Sequence, residues 1–90
     1  MRISREKKEK ISEQILANLF LLSPQAPFLT RIAKEIARDE EFVKTLLKDL
    51  KSKGLVFEIK KNPHGVSYIK RSRWKLSDAA YVFYKQKQEK

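Results

Sequence analysis

Gly54 divides the chain into two stretches with different apolar periods, and that change limits the fold more than any other feature. Before it, apolar residues return every three or four positions, the spacing that lines them up on one face of a helix. In residues 4–22 the stripe is Ile11, Ile15, Leu16, Leu19 and Phe20, with Glu6, Lys7, Lys8, Glu9 and Lys10 toward water. Ser23-Pro24-Gln25-Ala26-Pro27 stops this helix, because each proline steers the residue before it out of helical geometry. A short second helix is expected from an N-cap at Thr30 to about residue 38, with Ile32, Ala33 and Ile36 inward. Asp39 caps a third, over residues 40–53, which turns Val43, Leu46, Leu47 and Leu50 inward before Gly54 ends it in the left-handed region.

Beyond Gly54 the period drops to two. Leu55, Phe57 and Ile59 alternate with Val56, Glu58 and Lys60, as in a strand. Asn62-Pro63-His64-Gly65 reads as a turn, and residues 66–76 are rich enough in β-branched and aromatic side chains to return as a second strand. Trp74, Phe57 and Leu76 are expected to pack inward from this hairpin. Ser77 then caps a last helix over residues 78–88, running through Ala80, Phe83 and Tyr84. The fold class is α+β, mostly α. Residues 1–90 contain no repeat, low-complexity tract or linker and read as a single domain.

Composition narrows the function. Lys and Arg number 21 against 11 Asp and Glu, a formal charge of +10, which attracts polyanions over a Debye length of about 8 Å. Duplex DNA is the expected partner. A basic membrane-surface peptide would need one long amphipathic helix and little else, so a membrane partner is set aside. No apolar run approaches the roughly 18 residues that span a bilayer, and the expected location is cytoplasmic, on the nucleoid. The chain has no cysteine and one histidine, so disulfides, thiol nucleophiles and Cys or His metal clusters are excluded and no cofactor is expected. Asp78 and Glu58 stand apart from any plausible base or nucleophile, which argues against an enzyme.

Three helices, a hairpin and a closing helix form the order of a winged helix-turn-helix. Ile32-Ala33, Ile36, Val43, Leu46-Leu47, Leu50, Lys53-Gly54-Leu55-Val56 and Trp74-Lys75-Leu76-Ser77-Asp78 also lie in the order and at the spacing of a known family. On these residues, over positions 30 to 80, the sequence resembles the winged-helix regulators of the multiple-antibiotic-resistance (MarR) and arsenic-repressor superfamilies of bacteria and archaea. The resemblance implies that helix 40–53 enters the major groove and that a wing over residues 57–75 reaches the minor groove or the backbone. It also implies a homodimer built from the first and last helices. The run Tyr81-Val82-Phe83-Tyr84 agrees with this, since it places apolar surface on more than one side of the last helix.

Charge locates the candidate site. Residues 55–76 carry Lys60, Lys61, Lys70, Arg71, Arg73 and Lys75 against Glu58 alone. Arg71 and Arg73 suit a narrow, negative minor groove, and His64 at the turn is either a minor-groove probe or simply solvent-facing. On the third helix Lys44, Thr45 and Lys48 are the candidates for bases and phosphates, the alternative being a solvated helical face. Tyr68 and Trp74 could stack on bases but are better read as core. Asp39-Glu40-Glu41 opens that helix with the wrong sign for DNA. These acids favour the positive end of the helix, accept from cytosine N4, or mark a helix that stays out of the groove. Two other functions fit the same fold: an RNA- or ribosome-associated protein, and a protein-interaction module of a transcription or replication assembly.

Overall fold

Ser4 opens the first helix as the sequence suggests, its Oγ accepting a hydrogen bond from the Lys7 amide at 3.2 Å. The computed structural model describes residues 4–60, 64 and 72–88. In it α1 spans Arg5–Leu22, α2 Leu29–Glu35, α3 Glu40–Ser52, β1 Val56–Ile59, β2 Arg73–Leu76 and α4 Asp78–Gln88. The strands pair antiparallel, Val56 opposite Leu76 and Glu58 opposite Trp74. The part of the expected second strand before residue 72 lies outside the described residues.

One core joins these elements. Ile11, Ile15, Leu16 and Leu19 of α1 meet Ile32 and Ala33 of α2, Val43, Leu46, Leu47 and Leu50 of α3, and Val56, Trp74, Leu76 and Ala80. Each large side chain buried in this way contributes about 1.5–3 kcal/mol of transfer free energy. Trp74 is the largest and is 1% exposed, so the base of the hairpin is anchored from inside the molecule.

The two helices of the helix-turn-helix end alike. After α2 the Arg38 amide reaches the Ala33 carbonyl and the Ala37 amide the Lys34 carbonyl. After α3 the Leu55 amide reaches Leu50 and the Gly54 amide Lys51. Both are Schellman closures, which need a left-handed residue. Gly54 supplies it at φ 75°, and Ala37 does so at φ 56° despite its Cβ.

Three expectations need correction. Thr30 is not the cap of α2. The cap is Phe28, without a side-chain hydrogen bond, because Phe28 pairs with Arg73 as a short third edge of the sheet and the Trp74 amide donates to the Pro27 carbonyl at 2.9 Å. That pairing holds Phe28 extended, so the helix begins at Leu29 and Thr30 lies within it. The same helix ends at Glu35, three residues short of 38, where the Schellman closure intervenes.

Phe57 is 52% exposed rather than packed with Trp74. Leu55 is used in closing α3, so the strand presents Val56 and Glu58 to the interior and turns Phe57 and Ile59 outward with Arg73 and Lys75. On α4 it is Ala80 that is buried, while Phe83 is 58% exposed. The Ser77 cap is present, its Oγ accepting from the Ala80 amide. Among the described residues no helix is long and apolar enough to cross a membrane.

Candidate nucleic-acid interface

Lys44 and Lys48 stand one turn apart on the exposed side of α3, opposite its buried Val43, Leu46, Leu47 and Leu50. The fold brings them together with Lys60, at the end of β1, around one cleft whose other walls are Thr30, Glu40, Glu58, Ser72 and Trp74. Three candidate cations from two distant parts of the sequence therefore converge.

The wall between α3 and the wing is held by Glu58. Lys51 Nζ sits 3.0 Å from its Oε1, and Ser72 Oγ donates to its Oε2 at 2.6 Å. Burial by itself would raise this carboxyl. The hydrogen bonds from Ser72 and Lys51, together with the charges of Lys51 and Lys60, more than reverse that, and the group sits below its ordinary 4.5. The acid of the hairpin base is thus a strut between α3 and the wing, with its charge already matched.

The acidic opening of α3 is partly accounted for in the same way. Asp39 Oδ2 accepts from the Phe42 amide at 3.2 Å as the N-cap. Glu40 Oε1 accepts from Thr30 Oγ1 at 3.0 Å, tying α3 back to α2. Glu41 is exposed on the first turn.

The other candidates are placed less compactly. Thr45 is exposed, but its hydroxyl donates to the Glu41 carbonyl, and it lines a different groove, between α1 and α3 with Arg5, Lys8 and Lys53. His64 lies in an exposed turn. Arg73 is half-buried at the foot of the wing, its guanidinium 4.9 Å from the centre of the Phe28 ring, on the sheet face that points away from α3. Lys61, Lys70 and Arg71 lie outside the described residues.

A second basic groove lies on that outer face. Arg73 and Lys75 of β2 and Ile59 of β1 form one side, Arg31 and Lys34 of α2 the other, and the 24–27 loop closes the end. Nothing in the local pattern marks Arg31 and Lys34. Their spacing puts them on one exposed face, but only the packing of α2 against the sheet shows what they face. Among the described residues no group of acidic and histidine side chains could hold a metal ion.

No protein-family model matches the sequence, and no curated protein shows significant similarity to it. Solved structures do resemble its fold. The PcaV transcriptional regulator of Streptomyces coelicolor superposes with a TM-score of 0.64 at 17% identity, over 82% of this chain and 48% of PcaV. MepR of S. aureus in its DNA-binding conformation gives 0.66 at 19% identity, over 93% and 55%. ZitR of Lactococcus lactis gives 0.64 at 21% identity, over 91% and 59%. The chain thus spans about half the length of these proteins. At such identities the likeness is one of fold, and that fold is the winged helix-turn-helix.

Proposed function

We propose that this chain binds double-stranded DNA as a transcriptional regulator, with α3 in the major groove and the wing on the minor groove or backbone. The observation that carries the reading is the convergence of Lys44 and Lys48 of α3 with Lys60 of the wing on one cleft. A helix whose outer side carries paired cations, beside a hairpin that adds another, matches the width and charge of a duplex groove. Among proteins of similar fold, an S. aureus MepR mutant has been solved bound to an oligodeoxyribonucleotide. On this reading Lys44 and Lys48 meet bases or phosphates, Lys60, Lys61, Lys70, Arg71 and Arg73 meet the backbone, and Thr45 and His64 lie at the margins. The protein would then work on chromosomal DNA in the cytoplasm and perform no catalysis.

The same reading includes a homodimer through α1 and α4. Leu21, Val82 and Phe83 are 75%, 50% and 58% exposed, and Phe20 stacks against Tyr81 at 5.3 Å to extend the apolar surface. Burial pushes the neighbouring Tyr84 phenol above its ordinary 10.0, with Glu13 adding to the shift, so this ring stays neutral in the contact. Two copies related by a two-fold axis would present their α3 helices about 34 Å apart, one turn of DNA. Sedimentation of Phe83→Glu should give a monomer where the native chain gives a dimer. A native chain that sediments as a monomer at micromolar concentration overturns the dimer.

The DNA reading is tested by fluorescence anisotropy with duplexes selected from a random pool. Lys44→Gln/Lys48→Gln should weaken binding tenfold or more and blur the sequence preference, since each charge-assisted contact contributes about 1.5–3 kcal/mol. An unchanged affinity, or a clear preference for structured RNA over duplex DNA at equal salt, contradicts it.

A further inference from the structure

We infer that the groove on the outer face of the hairpin, between α2 and the sheet, is a second phosphate-backbone site that carries the flank of the same duplex beyond the α3 cleft. The inference rests on the proposed DNA binding and adds Arg31 and Lys34, which neither charge counting nor the helix-turn-helix pattern selects.

Three grooves of the described surface differ in charge. The groove between α1 and α3 sets Arg5, Lys8 and Lys53 against Glu9, Glu13 and Asp49. Arg5 already lies near Glu9 and Lys53 near Asp49. The α3 cleft sets Lys44, Lys48 and Lys60 against Glu40 and Glu58. The outer groove has Arg31, Lys34, Arg73 and Lys75 and, among the described residues, no acid in its lining. Arg31 lies 3.7 Å from Glu35, but that pair is exposed and therefore weak in water.

Cations gathered around one concavity raise the local positive potential and attract a polyanion to it. The partner is identified by position. Phe28 and Thr30 line both the outer groove and the α3 cleft, so the two basic surfaces meet along a single ridge. A phosphodiester chain leaving the α3 cleft over that ridge comes directly onto Arg31, Lys34, Arg73 and Lys75. The Arg73 guanidinium sits over the Phe28 ring of that ridge, 4.9 Å from its centre. An isolated acidic peptide would satisfy the charge but not this continuity.

The test compares Arg31→Gln/Lys34→Gln with the native chain, both confirmed folded by circular dichroism. Affinity is measured against salt on a duplex limited to the selected site and on one extended by a further turn at each end. On the extended duplex the slope of log affinity against log salt should become shallower by about 1.8, close to 0.9 for each phosphate that the variant leaves unneutralised, and by clearly less on the short one. If the native chain binds with a steep slope and the variant matches it on both duplexes, the groove is no backbone site, while the DNA reading stands. If the native chain shows no salt-dependent duplex binding, both fall. Tighter binding of polyglutamate than of duplex, abolished in the variant, would assign the groove to an acidic protein partner instead.

Discussion

The α3 cleft and the outer-face groove are built from the same two walls, the helix-turn-helix and the sheet, yet one mixes charges and the other does not. Lys44, Lys48 and Lys60 share the α3 cleft with Glu40 and Glu58, whose carboxylates are held by Thr30, Ser72 and Lys51. Arg31, Lys34, Arg73 and Lys75 line their groove without an acid among the described residues. A surface that must distinguish bases gains from fixed donors and acceptors of both signs, because repulsion of wrong partners is part of selectivity. A surface that holds only phosphate needs positive charge and little else. On the proposed reading, discrimination belongs to α3 and affinity to the outer groove, and the contrast can be broken at several points.

The largest effect belongs to the residue between them. Trp74 faces α3 while its neighbours Arg73 and Lys75 face outward. Trp74→Ala should cost about 3–5 kcal/mol in urea unfolding, since it empties a fully buried site. A loss under about 1 kcal/mol would mean that the clefts do not share this wall.

Removing one charge from the mixed cleft's helix should act in the opposite direction to removing a lysine. Glu41→Gln takes away an exposed carboxylate from the first turn of α3. At about 4 Å from a phosphate in water-like surroundings it costs on the order of 1 kcal/mol, so the variant should bind duplex roughly fivefold more tightly. Its affinity for a variety of sequences should rise together if the acid is only repulsive. A selective loss at a cytosine position would show that it reads a base instead.

The smallest effect is one of pH. The Glu58 carboxyl is lower in the folded protein than its ordinary 4.5, so folding favours its ionised form. Its contribution is complete above that value and is lost as pH falls through the folded value. Melting temperatures of the native chain and Glu58→Gln should therefore differ most near neutrality and approach one another only as pH falls below the ordinary 4.5 of a glutamate. Parallel curves over that range would remove Glu58 as the strut between α3 and the wing.

Much of the fold is legible in the sequence because the period of a buried stripe is a local property. The four helices, the change at Gly54 and the caps at Asp39 and Ser77 all follow from neighbours within a few residues. What the sequence hides is non-local. Thr30 has the chemistry of a cap, but the start of α2 is set by Phe28 pairing with Arg73, far along the chain, and nothing near Phe28 announces it. Alternation after Gly54 shows two faces without saying which is inner, and the closure of α3 decides for Val56 against Phe57. The candidate site divides on the same line. Lys44, Lys48, Lys60 and Lys75 are recoverable from charge and periodicity, whereas Arg31 and Lys34 join a site only when α2 and β2 are placed side by side.

The measurement closest to the central claim is the affinity of the unaltered chain for duplex DNA from about 50 to 300 mM salt. With Lys44, Lys48 and Lys60 on one cleft and four further cations beside it, the slope of log affinity against log salt should be about −3 or steeper. A slope near zero, or no binding at the lowest salt, would mean that the cations gathered around α3 and the wing do not meet a phosphate backbone.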